Sequence, residues 1–186
     1  MTEATYYQRA AETIRERYDK AGESRREGCL EQAIEALQGI VRDEPGFAPA
    51  YNKLGVVEIA RGAREPAREW FKEALRRDED YAPALTNLGN LALEQQDYET
   101  AQLYYDRALA ADEDFGAAHQ NLAIVLQHQK RYADAVRHLR AARRRRRMST
   151  GRTRTTNAGA TRRSRALLVG ITLIALAALL FVAARL

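Results

Sequence analysis

Leu85-Thr86-Asn87-Leu88-Gly89 decides the fold because it comes back: Tyr51-Asn52-Lys53-Leu54-Gly55 stands 34 residues before it and His119-Gln120-Asn121-Leu122-Ala123 stands 34 after it. The same step links the aromatic residues Phe47, Tyr81 and Phe115, and the small residues Ala50, Ala84 and Ala118. It also links Ala33, Ala67, Ala101 and Ala135, each followed four positions later by a bulky side chain: Leu37, Phe71, Tyr105 and Leu139. A unit of this length is two short helices and a tight turn. Small residues let the helices approach, and large ones fill the space between successive pairs. A non-repetitive bundle needs no such register.

Working outward, four copies emerge. Residues 14–47 form a degenerate first copy: Ala21, Gly28, Ala33, Leu37 and Pro45 fit, but Arg17 and Lys20 stand where apolar residues are expected. Residues 1–13 extend its first helix. Residues 48–81 are the clearest copy, with Pro66 placed to open a second helix without losing a needed hydrogen bond. Residues 82–115 and 116–147 complete the set, the last ending in arginines. With Leu-Gly in the first helix, Ala-x-x-x-aromatic in the second and a proline near the end, the chain resembles the tetratricopeptide repeat family. The resemblance covers about three quarters of the sequence. It implies an all-α solenoid of about 3.5 to 4 helical hairpins.

The resemblance also places a ligand surface. In the family, the first helix of each repeat lines a concave groove, and the corresponding positions here are Asn52, Val56 and Ile59, then Thr86, Asn90 and Glu94, then Gln120, Ile124 and His128, with Lys53, Asn87 and Asn121 alongside. Side-chain amides donate and accept together, which suits the backbone of an extended or helical peptide. The competing reading leaves these residues solvated, with no ligand. Some family members clamp a terminal carboxylate with lysine, arginine and asparagine. Here Asn52, Val56, Ala117 and Asn121 occupy those sites and only Asn87 fits, so that kind of capture is disfavoured.

Charge is divided along the chain. Hydrophobic residues make up 46% and charged residues 30%, as in a soluble helical domain, and the net charge is +5. All 25 acidic groups lie at or before Asp134, so residues 1–136 carry a net charge of −8; residues 137–165 hold 12 arginines and no carboxylate. Residues 148–165, rich in Ser, Thr, Gly and Arg, read as a disordered basic linker.

Residues 166–184 are an uninterrupted apolar run whose only polar side chain is Thr172. As a helix it is about 28 Å long, close to the hydrocarbon thickness of a bilayer. The expectation is a single-pass C-terminal anchor, with the arginine-rich flank holding the repeats on the cytoplasmic side and insertion following synthesis. The polar start Met1-Thr2-Glu3 does not read as a secretory signal. The alternative for the apolar run is a buried helix capping the array, which its lack of a polar face disfavours. Arg143, Arg144, Arg145, Arg146, Arg147, Arg162, Arg163 and Arg165 are then placed to meet anionic lipid headgroups. Nucleic-acid binding is the weaker reading of the same arginines, because no aromatic residue is interleaved to stack on bases.

Catalytic, cofactor and metal signals are not found. Asp43-Glu44, Asp78-Glu79-Asp80 and Asp112-Glu113-Asp114 recur at the repeat period and read as turns. His119, His128 and His138, spaced nine and ten apart, do not share one helical face. Cys29 is the single cysteine and fits a reducing compartment. No phosphate-cradling loop occurs, and Trp70 reads as packing beside Phe71.

The sequence therefore points to a membrane-tethered scaffold or adaptor that binds a cytoplasmic protein or peptide, not to an enzyme acting on a small molecule. Its architecture is similar to that of the mitochondrial fission adaptors. However, 26 arginines against 4 lysines suggest a GC-rich bacterial genome and hence a bacterial inner membrane. The alternative is a self-assembling structural protein, a homo-oligomer whose arrays stack end to end. An uncapped fourth repeat and the small pair Ala166 and Gly170 are its supports.

Overall fold

The computed structural model describes the backbone of residues 3–144 and the side chains of residues 13–144. The expected linker over 148–165, the apolar run over 166–184 and Arg145, Arg146, Arg147, Arg162, Arg163 and Arg165 lie outside the described residues. Among those described, no strand occurs and no helix is long and apolar enough to cross a membrane.

Seven helices run α1 (Glu3–Arg26), α2 (Leu30–Asp43), α3 (Ala48–Ala60), α4 (Arg64–Arg77), α5 (Ala82–Glu94), α6 (Tyr98–Ala111) and α7 (Gly116–His128), and an eighth, α8, covers 132–144. They pair as hairpins: α1 with α2, α3 with α4, α5 with α6, and each second helix packs on the first helix of the following hairpin. First helices also touch across repeats, α1 with α3 and α5 with α7, whereas no comparable contact joins α2 to α4 or α4 to α6. The array lies in the unit Met1–Ala142 apart from the last two residues of α8.

The turn within each hairpin is the same four times. Gly28, Gly62, Gln96 and Lys130, one repeat apart, adopt φ between 60° and 83°. This left-handed residue ends the first helix and lets the backbone fold back on its own carbonyls. Gly62 N–H donates to Ile59 O at 3.0 Å and Ala63 N–H to Glu58 O at 2.9 Å. The same pair of bonds follows Leu93 and Ala92, and again Gln127 and Leu126. Such a closure satisfies carbonyls that the helix end leaves without partners.

Close packing inside a hairpin rests on a size match. A Cβ added at Gly55 would meet the Phe71 ring at 2.4 Å, and one at Gly89 would meet Tyr105 at 2.5 Å. At the equivalent places in the first and fourth repeats the partner is leucine, and the small residue is alanine: Ala21 with Leu37, Ala123 with Leu139. Glycine stands where the partner is a ring, so the summed volume across each hairpin is conserved. Phe71 and Tyr105 are 1% and 0% exposed as a result.

Candidate peptide-binding groove

The first helices α3, α5 and α7 bring the expected groove residues onto one face, but much of their polar chemistry is already engaged. Asn87 Nδ2 donates to Asn52 Oδ1 at 2.8 Å, joining α5 to α3. Asn121 Nδ2 donates to Asn90 Oδ1 at 2.6 Å, joining α7 to α5, and the Tyr105 hydroxyl donates to the same oxygen at 2.9 Å. Asn52 is only 9% exposed and Thr86 only 3%, and the Thr86 hydroxyl has no hydrogen-bond partner among the described residues. Burial pushes the Tyr105 hydroxyl far above its usual pKa, which keeps it protonated as the donor to Asn90.

Three further groove candidates act as struts. Lys53 Nζ donates to Tyr18 O at 2.7 Å and sits 3.3 Å above the Tyr18 ring, which fixes α3 to α1. Its desolvation there lowers its pKa, the nearby Asp19 charge opposing that. Glu94 at the end of α5 accepts from Arg64 at the start of α4 at 2.8 Å. His128 at the end of α7 stacks on Tyr98 at the start of α6, with ring centroids 4.6 Å apart. Glu94 and His128 hold the same register position, so one location serves the junction between hairpins twice with different chemistry.

What remains open is largely apolar. Ile59 and Ile124 are 37% and 42% exposed. Gln120, one turn before Ile124 on α7, is also exposed. Between α3 and α5 lies a pocket of about 400 Å³, counting space open to solvent, lined by Val56, Ile59, Asn87, Asn90, Leu91 and Glu94 with Phe71 beneath. Phe71 and Leu91 were not among the sequence candidates. Phe71 reads as core from its period, Leu91 carries no such signal, and both are core residues whose edges the gap between two first helices exposes to the pocket.

The remaining candidates are placed as follows. Asp78 and Asp112 each accept a hydrogen bond from the backbone N–H two residues on, at 3.2 and 3.1 Å, which makes them turn residues. Trp70 is half-buried against Tyr51, with centroids 6.2 Å apart. His119 and His138 approach with Nδ1 atoms 2.9 Å apart, because α8 folds back on α7; their sequence spacing gives no hint of this. Desolvation, then the neighbouring His119, lowers the pKa of His138. Among the described residues no group of three or more potential metal ligands assembles. Arg143 and Arg144 are exposed.

This hairpin register is matched by a known family. The tetratricopeptide repeat pattern fits residues 18–82 and 86–148, together well over half of the sequence. The chain belongs to the tetratricopeptide repeat family. No curated protein matches it in sequence. Among solved structures, this repeat protein is similar to pilF of Pseudomonas aeruginosa at 25% identity and a TM-score of 0.65, covering 74% of this chain and 63% of that one. It is also similar to MamA, at 18% identity and a TM-score of 0.59, covering 80% and 86%. An O-GlcNAc transferase of Thermobaculum terrenum aligns at 25% identity and a TM-score of 0.56, but the tetratricopeptide repeat chain spans only 23% of it. The MamA likeness speaks for the fold alone.

Proposed function

We propose that this tetratricopeptide repeat protein is a membrane-tethered scaffold whose groove holds a protein or peptide segment on the cytoplasmic face, without catalysis of its own. The observation that carries the reading is the pocket between α3 and α5, where the exposed Ile59 and the half-buried Val56 stand beside the amides of Asn87 and Asn90. Apolar ledges with a few amides suit an amphipathic or extended peptide with one or two bulky apolar side chains. The tether is the apolar run 166–184, and the arginines before it, Arg143 to Arg147 with Arg162, Arg163 and Arg165, are its contact with anionic lipid. Tethering raises the effective concentration of whatever the groove gathers, so modest affinity suffices. A bacterial inner membrane is the location this reading favours.

The best test leaves the Asn bridges intact, because Asn90 also serves Tyr105 and Asn121. Ile59→Ser with Ile124→Ser changes exposed side chains only. Partners crosslinked to the full chain are expected to be lost with the double variant, and identical catches from both proteins would overturn the groove assignment. The tether is tested separately: the full chain is expected to stay with membranes in alkaline carbonate, and its release would remove that part. A second reading, self-assembly on the membrane, starts from the exposed Tyr132 and Val136 at the end of the array. A purified chain that sediments as a monomer at every concentration rejects it.

A further inference from the structure

The second helices α4 and α6 each hold the first helix of the following repeat through the same positions. The start of α4 reaches the end of α5 through Arg64 and Glu94. One repeat on, the start of α6 reaches the end of α7 through the Tyr98 and His128 rings, and Gln129 Nε2 donates to Gln102 Oε1 at 2.9 Å. The next copy of these positions falls on α8, at Tyr132 in place of Tyr98 and Val136 in place of Gln102. Tyr132 is 63% exposed and Val136 46%, and among the described residues no helix takes the place beside them. Leu139, half-buried, continues the same apolar edge.

The surroundings state the charge of what fits. Lys130, Arg131, Arg137 and Arg140 are all exposed at this end; the one carboxylate on α8, Asp134, pairs with Arg131 and Arg137, each at 2.9 Å, and Asp106 of α6 lies toward His138. We propose that this end of α8 docks an acidic amphipathic helix of a different protein, in the position a further repeat's first helix would take.

Copies of this chain are poorer occupants. In α3, Ala50, Leu54 and Val57 are fully buried against the preceding hairpin, but the matching positions of α1 are Glu16, Lys20 and Glu23, all exposed. A second copy's α1 would bring charges to an apolar seat, and a second α8 would set arginine against arginine. Residues 145–165 carry eight arginines and no acid, so that part of the chain repels the site too. An acidic helix meets both halves of the surface, its apolar stripe on Tyr132, Val136 and Leu139 and its carboxylates toward Arg137 and Arg140.

The test uses the full chain in nanodiscs of uncharged lipid and a labelled synthetic helix of about 15 residues with leucine at i, i+4, i+7 and i+11 and glutamate at most other positions. Saturable binding is expected, falling at least about tenfold with Val136→Glu and with Arg137→Gln plus Arg140→Gln. It is expected to persist in the Ile59→Ser, Ile124→Ser double variant, which separates this site from the groove, and to vanish for a peptide with lysine in place of glutamate. The proposal is overturned by equal binding to Val136→Glu, by loss only in the groove variant, or by no saturable binding up to about 1 mM. Protection of Tyr132 from hydroxyl-radical labelling that needs only higher protein concentration assigns the surface to a second copy and overturns it. Protection that needs only anionic lipid assigns it to the membrane and overturns it as well.

Discussion

At the scale of single residues, packing is governed by paired volumes. Gly55 faces the Phe71 ring so closely that even one methyl collides, and the ring, 1% exposed, can shift only toward the pocket between α3 and α5. Gly55→Ala is expected to destabilise the protein by about 1–3 kcal/mol, read by urea denaturation. Adding Phe71→Leu, which copies the Ala–Leu pair of the first and fourth repeats, is expected to recover part of that loss. Additive losses would mean the two side chains are not the coupled pair. The alternation of Gly with rings and Ala with leucine is written in the sequence, but it becomes a contact only when the two helices of a hairpin close.

At the scale of elements, the hairpin turns differ in how well their residues suit them. The left-handed position is glycine in two repeats, but Gln96 and Lys130 adopt φ of 60° and 62° in the others, where a side chain is strained. Gln96→Gly is expected to raise stability by about 1 kcal/mol, seen as a shifted denaturation midpoint with unchanged slope; a decrease would mean the Gln96 side chain contributes more than its backbone costs.

Among the described helices α2 to α7, only α6 opens with a side-chain cap: Asp97 accepts from Thr100 N–H at 3.0 Å, where Ala63 and Cys29 open α4 and α2 without one. Hydrogen bonds from the Thr100 side chain and then from its backbone N–H lower the Asp97 pKa below its ordinary 3.8. The unfolded chain therefore takes up this proton before the folded one, so the contribution is complete above about pH 4 and lost as pH falls through the lowered pKa. Asp97→Ala is expected to lower the melting temperature at neutral pH. The gap from the native protein should close in strong acid, and a gap constant with pH would disprove the cap.

At the scale of the whole molecule, stability depends on neighbours, because each hairpin buries its core against the next. The middle helices α4 and α5 are packed from both sides, whereas α1 turns Glu16, Lys20 and Glu23 to solvent and α8 leaves Tyr132 and Val136 open. Hydrogen exchange is expected to be slowest in α4 and α5 and fastest in α1 and α8. Uniform protection along the array would mean that it unfolds as one unit.

The sequence alone determined the repeat: its length, the two helices and tight turn in each copy, and the inward positions of the core. Those follow from local periodicity, and a 34-residue step leaves few ways to bury an apolar stripe. It also carried the separation of charge and the apolar run at residues 166–184. Only the tertiary structure decided which groove candidates remain free for a ligand. Asn52, Asn87, Asn90 and Asn121 bridge neighbouring first helices, Lys53, Glu94 and His128 brace junctions, and Ile59 and Ile124 stay open. Periodicity places a side chain on a face, but the rotation between successive hairpins sets whether its partner is another repeat or the solvent, and that angle comes from the packing of the whole array.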